Sequence, residues 1–209
     1  MIRSTLLVSA VVLLTACPDP AKNKTQAVVE APKAPPAAAV AQPIENATTF
    51  AFSNEGSKFA FVGAKVTGKH EGGFKTFEGT VEVPGTDLSK ARIKATVTPA
   101  SAFTDSEKLT GHLLSPDFFD VEKFPTATFV STAIKPAGEA FDVTGDLTLH
   151  GVTKSITFPA KLKLEGDAVT AGAEFAINRK DFGITYPGKA DDLIADNVAI
   201  TLELNAKKK

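Results

Sequence analysis

The 209 residues carry 23 basic against 24 acidic side chains, a formal net charge of −1, and fit one domain with appendages or two small domains. Such balance leaves no electrostatic footprint for a nucleic-acid partner. A single cysteine excludes an internal disulfide and a cysteine-built metal centre.

The chain starts Met1-Ile2-Arg3, continues through an apolar run over residues 6–14 that is too short to span a bilayer, and reaches Leu14-Thr15-Ala16-Cys17. Residues 1–16 therefore read as an export signal. The last four residues resemble the bacterial lipobox, which implies cleavage before Cys17 and a diacylglyceryl group on its thiol. Cys17 is then the lipidation site and a membrane anchor, and the mature chain keeps 22 basic against 24 acidic side chains. Residues 18–47 hold six of the thirteen prolines, many alanines and no phenylalanine. The expectation is a tether over residues 17–47, extended at ~3.1 Å per residue and able to hold a domain up to roughly 90 Å from its anchor.

All fifteen phenylalanines lie from Phe50 to Phe182, which places the folded domain over residues 48–209. Period-two alternation predicts strands over residues 48–53, 58–66, 79–83, 92–98, 127–134, 168–178 and 197–205. Between the fifth and sixth of these lies a hairpin. Phe141, Val143, Leu147 and Leu149 alternate before a turn at His150-Gly151; Ile156, Phe158, Leu162 and Leu164 alternate after it. Thr144, Asp146, Thr148, Lys161 and Lys163 are expected to face water. Many short strands spaced by glycine, proline and aspartate turns favour an all-β fold, a closed antiparallel β-barrel of about eight strands, over an α/β one. One insertion breaks the pattern. Thr104-Asp105-Ser106-Glu107 reads as a capping box opening a short helix, and Ser115-Pro116 as the start of a second turn. This helical insertion is expected across an end or flank of the barrel, as a lid or as a seal.

Large inward residues such as Ile93, Val97, Phe158, Phe175 and Ile177 share parity with the small Ala95, Gly145, Ala160, Ala171 and Ala173. An eight-stranded barrel is just wide enough to be filled by side chains or to hold one small ligand. From the residues alone both outcomes stand: room for a guest, or gaps filled by opposing phenylalanines in a dry core.

Four segments in order carry a resemblance. They are Gly73-Phe74-Lys75-Thr76-Phe77-Glu78-Gly79; His112-Leu113-Leu114-Ser115-Pro116-Asp117-Phe118-Phe119-Asp120 through Lys123-Phe124-Pro125; Gly145-Asp146-Leu147-Thr148-Leu149-His150-Gly151-Val152-Thr153-Lys154; and Arg179-Lys180-Asp181-Phe182-Gly183. Together they resemble the YceI-like family over roughly residues 50–206. The resemblance implies a lipocalin-like barrel at the bacterial cell envelope, periplasm-facing or as a surface lipoprotein, binding a polyisoprenoid lipid or isoprenoid quinone; no catalysis and no cofactor are expected. The expected ligand-binding residues are Phe74, Phe77, Ile93, Ala95, Phe118, Phe119, Phe124, Phe129, Phe158, Ala160, Ala171, Ala173 and Phe175. His70, His112 and Arg179 are the candidates for head-group contact. Partners are the lipid and, through Cys17, the membrane; a homodimer is also admitted. The sequence departs from the family pattern at Lys69-His70-Glu71-Gly72-Gly73, where an extra glycine-rich turn is expected at one barrel mouth.

No nucleophile elbow, phosphate-cradling glycine loop or placed acid/base pair is present. His70, His112 and His150 lack the spacing of a metal motif. Asp191-Asp192 and Asp196 do not match a calcium loop, and Lys207-Lys208-Lys209 reads as a solvated terminus. A tethered interaction module with a filled core is the alternative function.

Overall fold

The computed structural model describes residues 19–32 and 44–209. Its elements in chain order are β1 (Thr25–Gln26), β2 (Val28–Glu30), β3 (Ala47–Ser53), β4 (Lys58–Lys65), β5 (Gly68–Phe74), β6 (Phe77–Pro84), β7 (Arg92–Val97), β8 (Ala102–Thr104), α1 (Glu107–Leu114), β9 (Ala127–Ala137), β10 (Ala140–Leu149), β11 (Val152–Glu165), β12 (Ala168–Asn178), β13 (Gly188–Lys189), β14 (Asp192–Leu193) and β15 (Asn197–Lys208).

The wall is a closed antiparallel barrel of eight staves. β3 and β4 form one bent stave, and β5 and β6 another, because Ala47–Ser53 pairs with residues 84–78 and residues 60–65 pair with residues 73–68 in one long hairpin. From β6 the order runs β7, β9, β10, β11, β12 and β15. β15 closes the ring: one edge pairs with β12 from Asn178 opposite Asn197 to Ala168 opposite Lys207. The other edge meets β4, Ala199 opposite Val62, and then β3, Lys207 opposite Ala51. Closure leaves no long free edge in the wall. Lys207 and Lys208, expected as a solvated terminus, are thus paired in backbone, and only their side chains face water.

The β10–β11 hairpin forms as the alternation predicts, with Leu149 opposite Val152 and a two-residue loop. His150 and Gly151 both have positive φ, 52° and 73°, as the hairpin turn that matches strand twist requires. Of the residues expected to face water here, Lys161 and Lys163 are exposed, whereas Thr144, Asp146 and Thr148 are half-buried, and the Asp146 Oδ1 lacks a hydrogen-bond partner.

Two expectations are corrected. Residues 69–73, read as a glycine-rich turn, lie within strand β5. Its glycines hide the alternation but serve close packing, since a Cβ on Gly72 would lie 2.4 Å from the Phe103 carbonyl oxygen and 2.6 Å from the Phe61 ring. The second correction concerns the tether. Within the described part of residues 17–47, β1 pairs in parallel with β12, Thr25 opposite Phe175, and β2 pairs antiparallel with β11, Val29 opposite Ile156. This segment therefore lies in the wall, because Ala21, Ala27 and Val29 find apolar neighbours there. Residues 33–43 of the expected tether, Cys17 and the export signal lie outside the described residues. Ser115-Pro116 does start a turn, the Phe118 N–H donating to the Ser115 carbonyl at 3.0 Å with proline in its first position. Ser115 ends α1, its N–H donating to the His112 carbonyl, and linked turns follow through Asp120 at φ 46°. The helix itself is capped by Ser106, whose hydroxyl accepts from the Leu109 N–H, while Thr104 binds the Ser106 carbonyl and the Thr110 hydroxyl.

The core lines the inside of the barrel. Val83, Val143, Ile156, Phe50, Val169 and Ala206 are each at most 2% exposed. Apolar burial on this scale, at about 25 cal/mol per Å², is the main term holding the barrel. Around Leu88 the chain folds under one end as a floor, and α1 crosses the other end, hereafter the mouth.

Candidate functional site

Inside the wall is a cavity of about 630 Å³. Inward residues of every stave line it, and the face is overwhelmingly apolar: Phe52, Phe59, Phe61, Val97, Leu147 and Ile200 among them. Below it the barrel is packed shut. Among the described residues a void of about 20 Å³ lies there, between Val81, Leu88, Val169 and Ala206 and their neighbours, while the main cavity reaches towards α1. A wider groove of about 780 Å³ crosses the outer face of β3 and β6, but Glu55, Glu78, Lys94 and Lys207 make it a polar, open surface.

Twelve of the thirteen residues expected to bind ligand line the cavity: Phe74, Phe77, Ile93, Ala95, Phe118, Phe119, Phe129, Phe158, Ala160, Ala171, Ala173 and Phe175. The exception is Phe124. Its ring packs edge-on against His150, centroids 4.7 Å apart, and occupies the space beside Gly151, where a Cβ would lie 2.4 Å from it. It buttresses the hairpin turn from outside the cavity. Of the expected small inward residues, Gly145 leaves no room. A Cβ there would meet the Phe129 ring at 2.4 Å, so this gap is filled by a neighbour's side chain. The same holds at Gly79, where the Phe52 ring would be 2.2 Å away. Ala160, Ala171 and Ala173, by contrast, border open volume.

Residues not singled out also contribute. Val198, Ile200, Leu202 and Leu204 of β15 line one wall, and their strict alternation marks them in the sequence. Ile184, Tyr186 and Ile194 come from the connection between β12 and β15, whose irregular course carries no periodic signal. With Leu113 and Phe118 of the insertion they form a second apolar cluster over the mouth.

Polar groups ring this mouth and are largely engaged with one another. His70 Nδ1 lies 2.8 Å from Asp105 Oδ1, tying β5 to the start of α1. That hydrogen bond foremost holds the Asp105 carboxyl below the usual carboxylate range; burial opposes it, and the Glu71 amide adds a lesser lowering. His112 Nε2 lies 2.7 Å from Asp117 Oδ2, and its ring meets Phe118 and Tyr186 edge-on. Lys65 pairs with Asp192, which also accepts from the Thr67 N–H and hydroxyl; these bonds, Lys65 first, lower the Asp192 carboxyl.

Arg179 is 4% exposed. Its Nε, NH1 and NH2 donate to the carbonyls of Ala195 (3.1 Å), Ile184 (2.7 Å) and Ile194 (3.3 Å), and Asp196 lies 3.6 Å away. Burial lowers its pKa, and Asp196 acts against that. Arg179 borders the cavity, and three of its five N–H donors pin the β12–β15 connection. His70 and His112 stand at the mouth with carboxylate partners. Among the described residues no three His, Cys, Asp or Glu side chains converge as a metal site.

Known proteins share this architecture. The crystal structure of Burkholderia cenocepacia BcnA matches with a TM-score of 0.68 at 28% identity, over 75% of this chain and 99% of that one. A polyisoprenoid binding domain from Saccharophagus degradans, implicated in plant cell wall breakdown, matches with a TM-score of 0.63 over 78% of this chain and 99% of its own; at 17% identity that likeness is one of fold. A UPF0312 protein of Pseudomonas putida strain W619 is 38% identical over 136 residues, 62% of this chain and 71% of its own length. The model of the YceI-like domain matches residues 50–206, from the first wall strand to the last, and the chain belongs to the YceI-like family.

Proposed function

We propose that this protein binds one isoprenoid lipid or isoprenoid quinone in its barrel, at the bacterial cell envelope, held to a membrane by a lipid on Cys17, and leaves its cargo chemically unchanged. The apolar cavity of about 630 Å³ inside the barrel carries the reading. At about 30 Å³ per water-sized group it has room for roughly twenty heavy atoms, on the order of four isoprene units. A tube with few polar groups along its walls selects by shape and by rejecting unpaired hydroxyls and charges. Burying several hundred Å² of chain at ~25 cal/mol per Å² would contribute on the order of 10 kcal/mol before ordering costs. The Saccharophagus degradans neighbour is a polyisoprenoid binding domain, which agrees with this cargo class. The open volume beside Ala160, Ala171 and Ala173 speaks against a filled-core interaction module.

Mass spectrometry of organic extracts from natively purified protein tests the cargo. The expected result is one isoprenoid-class lipid per chain; empty extracts together with no measurable binding of geranylgeraniol would refute the reading. Detergent phase partitioning tests the anchor separately. Wild type should enter the detergent phase and Cys17→Ser should not, since about 0.8 kcal/mol per buried CH₂ makes two or more acyl chains a firm hold. Elemental analysis finding one zinc or iron per chain would overturn the non-catalytic part.

A further inference from the structure

The wall between β11 and β12 is laddered directly only over its lower half, from Glu165 opposite Ala168 up to Lys161 opposite Gly172. Pro159, two residues above, has no N–H with which to extend the ladder. Higher up, residues 25–30 stand between the two strands. Thr25 and Gln26 pair with Phe175 and Ala176 on one side, while Val28, Val29 and Glu30 pair with Thr157, Ile156 and Ser155 on the other. The Ala27 N–H donates to the Ala176 carbonyl at 2.8 Å, Ala27 and Val29 join the core, and Val28 points out, 58% exposed. Phe158 and Phe175, from the two parted strands, stack at 4.2 Å and 13°.

We propose that residues 19–30 are a releasable stave, and that their withdrawal opens a lateral portal between β11 and β12 through which a lipid chain enters and leaves the cavity. Neighbouring strands lie about 4.8 Å apart, so with a strand between them β11 and β12 stand roughly 10 Å apart, wide enough for a hydrocarbon chain once that strand leaves. Ile156 and Phe158 on one side of the slot and Phe175 and Ile177 on the other already line the cavity. The rest of the barrel keeps its ladders when the segment leaves, because β12 stays fully paired with β15, and β11 with β10 from Val152 to Ala160 and with β12 from Lys161 to Glu165.

The way through the mouth is held more firmly. There Arg179 grips three carbonyls, Lys65 holds Asp192, two histidines hold aspartates, and Leu113, Phe118 and Ile184 are packed to 8% exposure or less. The stave instead has five ladder positions, a part-exposed Lys24–Glu174 ion pair, a 3.4 Å contact from Gln26 to Asn197, and mostly small apolar anchors in Ala21, Ala27 and Val29. Short segments with little apolar burial open at free energies well below that of global unfolding. The segment also precedes residues 50–206, so the portal strand belongs to this chain outside the shared domain.

What passes through the portal rests on the binding function proposed above; the opening itself does not, and the test separates the two. In a Cys17→Ser background, Val28→Cys with Thr157→Cys places thiols on the outer face of one register pair. In the reduced protein, amides of residues 25–30, and those of 155–157 and 175–176 that face the stave, should exchange with deuterium about tenfold or more faster than those of 161–165, and oxidation should remove that difference. Release of cis-parinaric acid, the fluorescent probe, should slow about tenfold on oxidation at nearly unchanged affinity and recover on reduction, since gating acts on rates. If the disulfide does not form, Ala27→Glu should expel the stave and speed release about tenfold. Seam amides as protected as the lower ladder, or a release rate indifferent to both variants, would overturn the portal. A probe that binds neither form would refute the cargo reading, and the exchange pattern would still decide whether the stave opens.

Discussion

Ala173 and Gly145 both withhold bulk from the inside of the barrel, with opposite results. Ala173 borders the cavity, so Ala173→Phe should occupy ligand volume: lipid recovered with the protein should fall, and the ligand-free melting temperature should stay equal or rise. A lower melting temperature in delipidated protein would mean that the ring found no space, at a cost of about 1–3 kcal/mol. Gly145 is already covered by Phe129, with the Val130 carbonyl oxygen 2.6 Å from where a Cβ would sit. Gly145→Ala should therefore destabilise by about 1–3 kcal/mol, read as a lower urea midpoint. Alternation places both residues on the inner face. Which of them leaves room depends on a ring from β9, and no local pattern in β10 reports that.

Elements differ in how openly the sequence declares them. β10, β11, β12 and β15 alternate cleanly and form as expected, because a half-buried strand has to alternate. β5 does not alternate: two glycines stand where Phe61 and Phe103 press on the backbone, and spacing alone reads that as a turn. β1 and β2 are too short for any period and lie in an alanine- and proline-rich stretch; only the gap between β11 and β12 gives them a place. The twelve cavity residues were legible through parity and resemblance, whereas Tyr186 and Ile194 come from a connection without period. At the mouth, α1 and the β13–β14 hairpin carry a pH dependence of definite sign. Asp105 and Asp192 are both held below the ordinary aspartate value, chiefly by His70 and Lys65. Each thus favours the folded rim above its unfolded pKa, and the contribution is lost as pH falls through the lowered folded value, below about pH 4. Carboxyl carbon NMR should place both titrations below that of a free aspartate, and Asp105→Asn should remove the dependence at α1 while leaving the Asp192 side intact. A midpoint for Asp105 at or above the ordinary value would contradict the hydrogen-bonded rim.

At the scale of the whole molecule the barrel is closed by its last strand. β15 joins β12 on one edge and the bent stave of β3 and β4 on the other, bringing Ala199 beside Val62 across more than half the sequence. A chain lacking residues 197–209 should lose cooperative melting by circular dichroism, because two long edges would then stand open. That keystone position also sets a timetable. During synthesis every earlier strand is made before the one that completes the ring, so the chain spends that interval as an unclosed sheet with apolar faces and free edges exposed to whatever is nearby. Such non-local closure is slow, on the order of milliseconds to seconds. Crowding and holding factors would act on the protein in that interval, and mutations that weaken β15 should lower yield in cells before they change any property of the finished barrel.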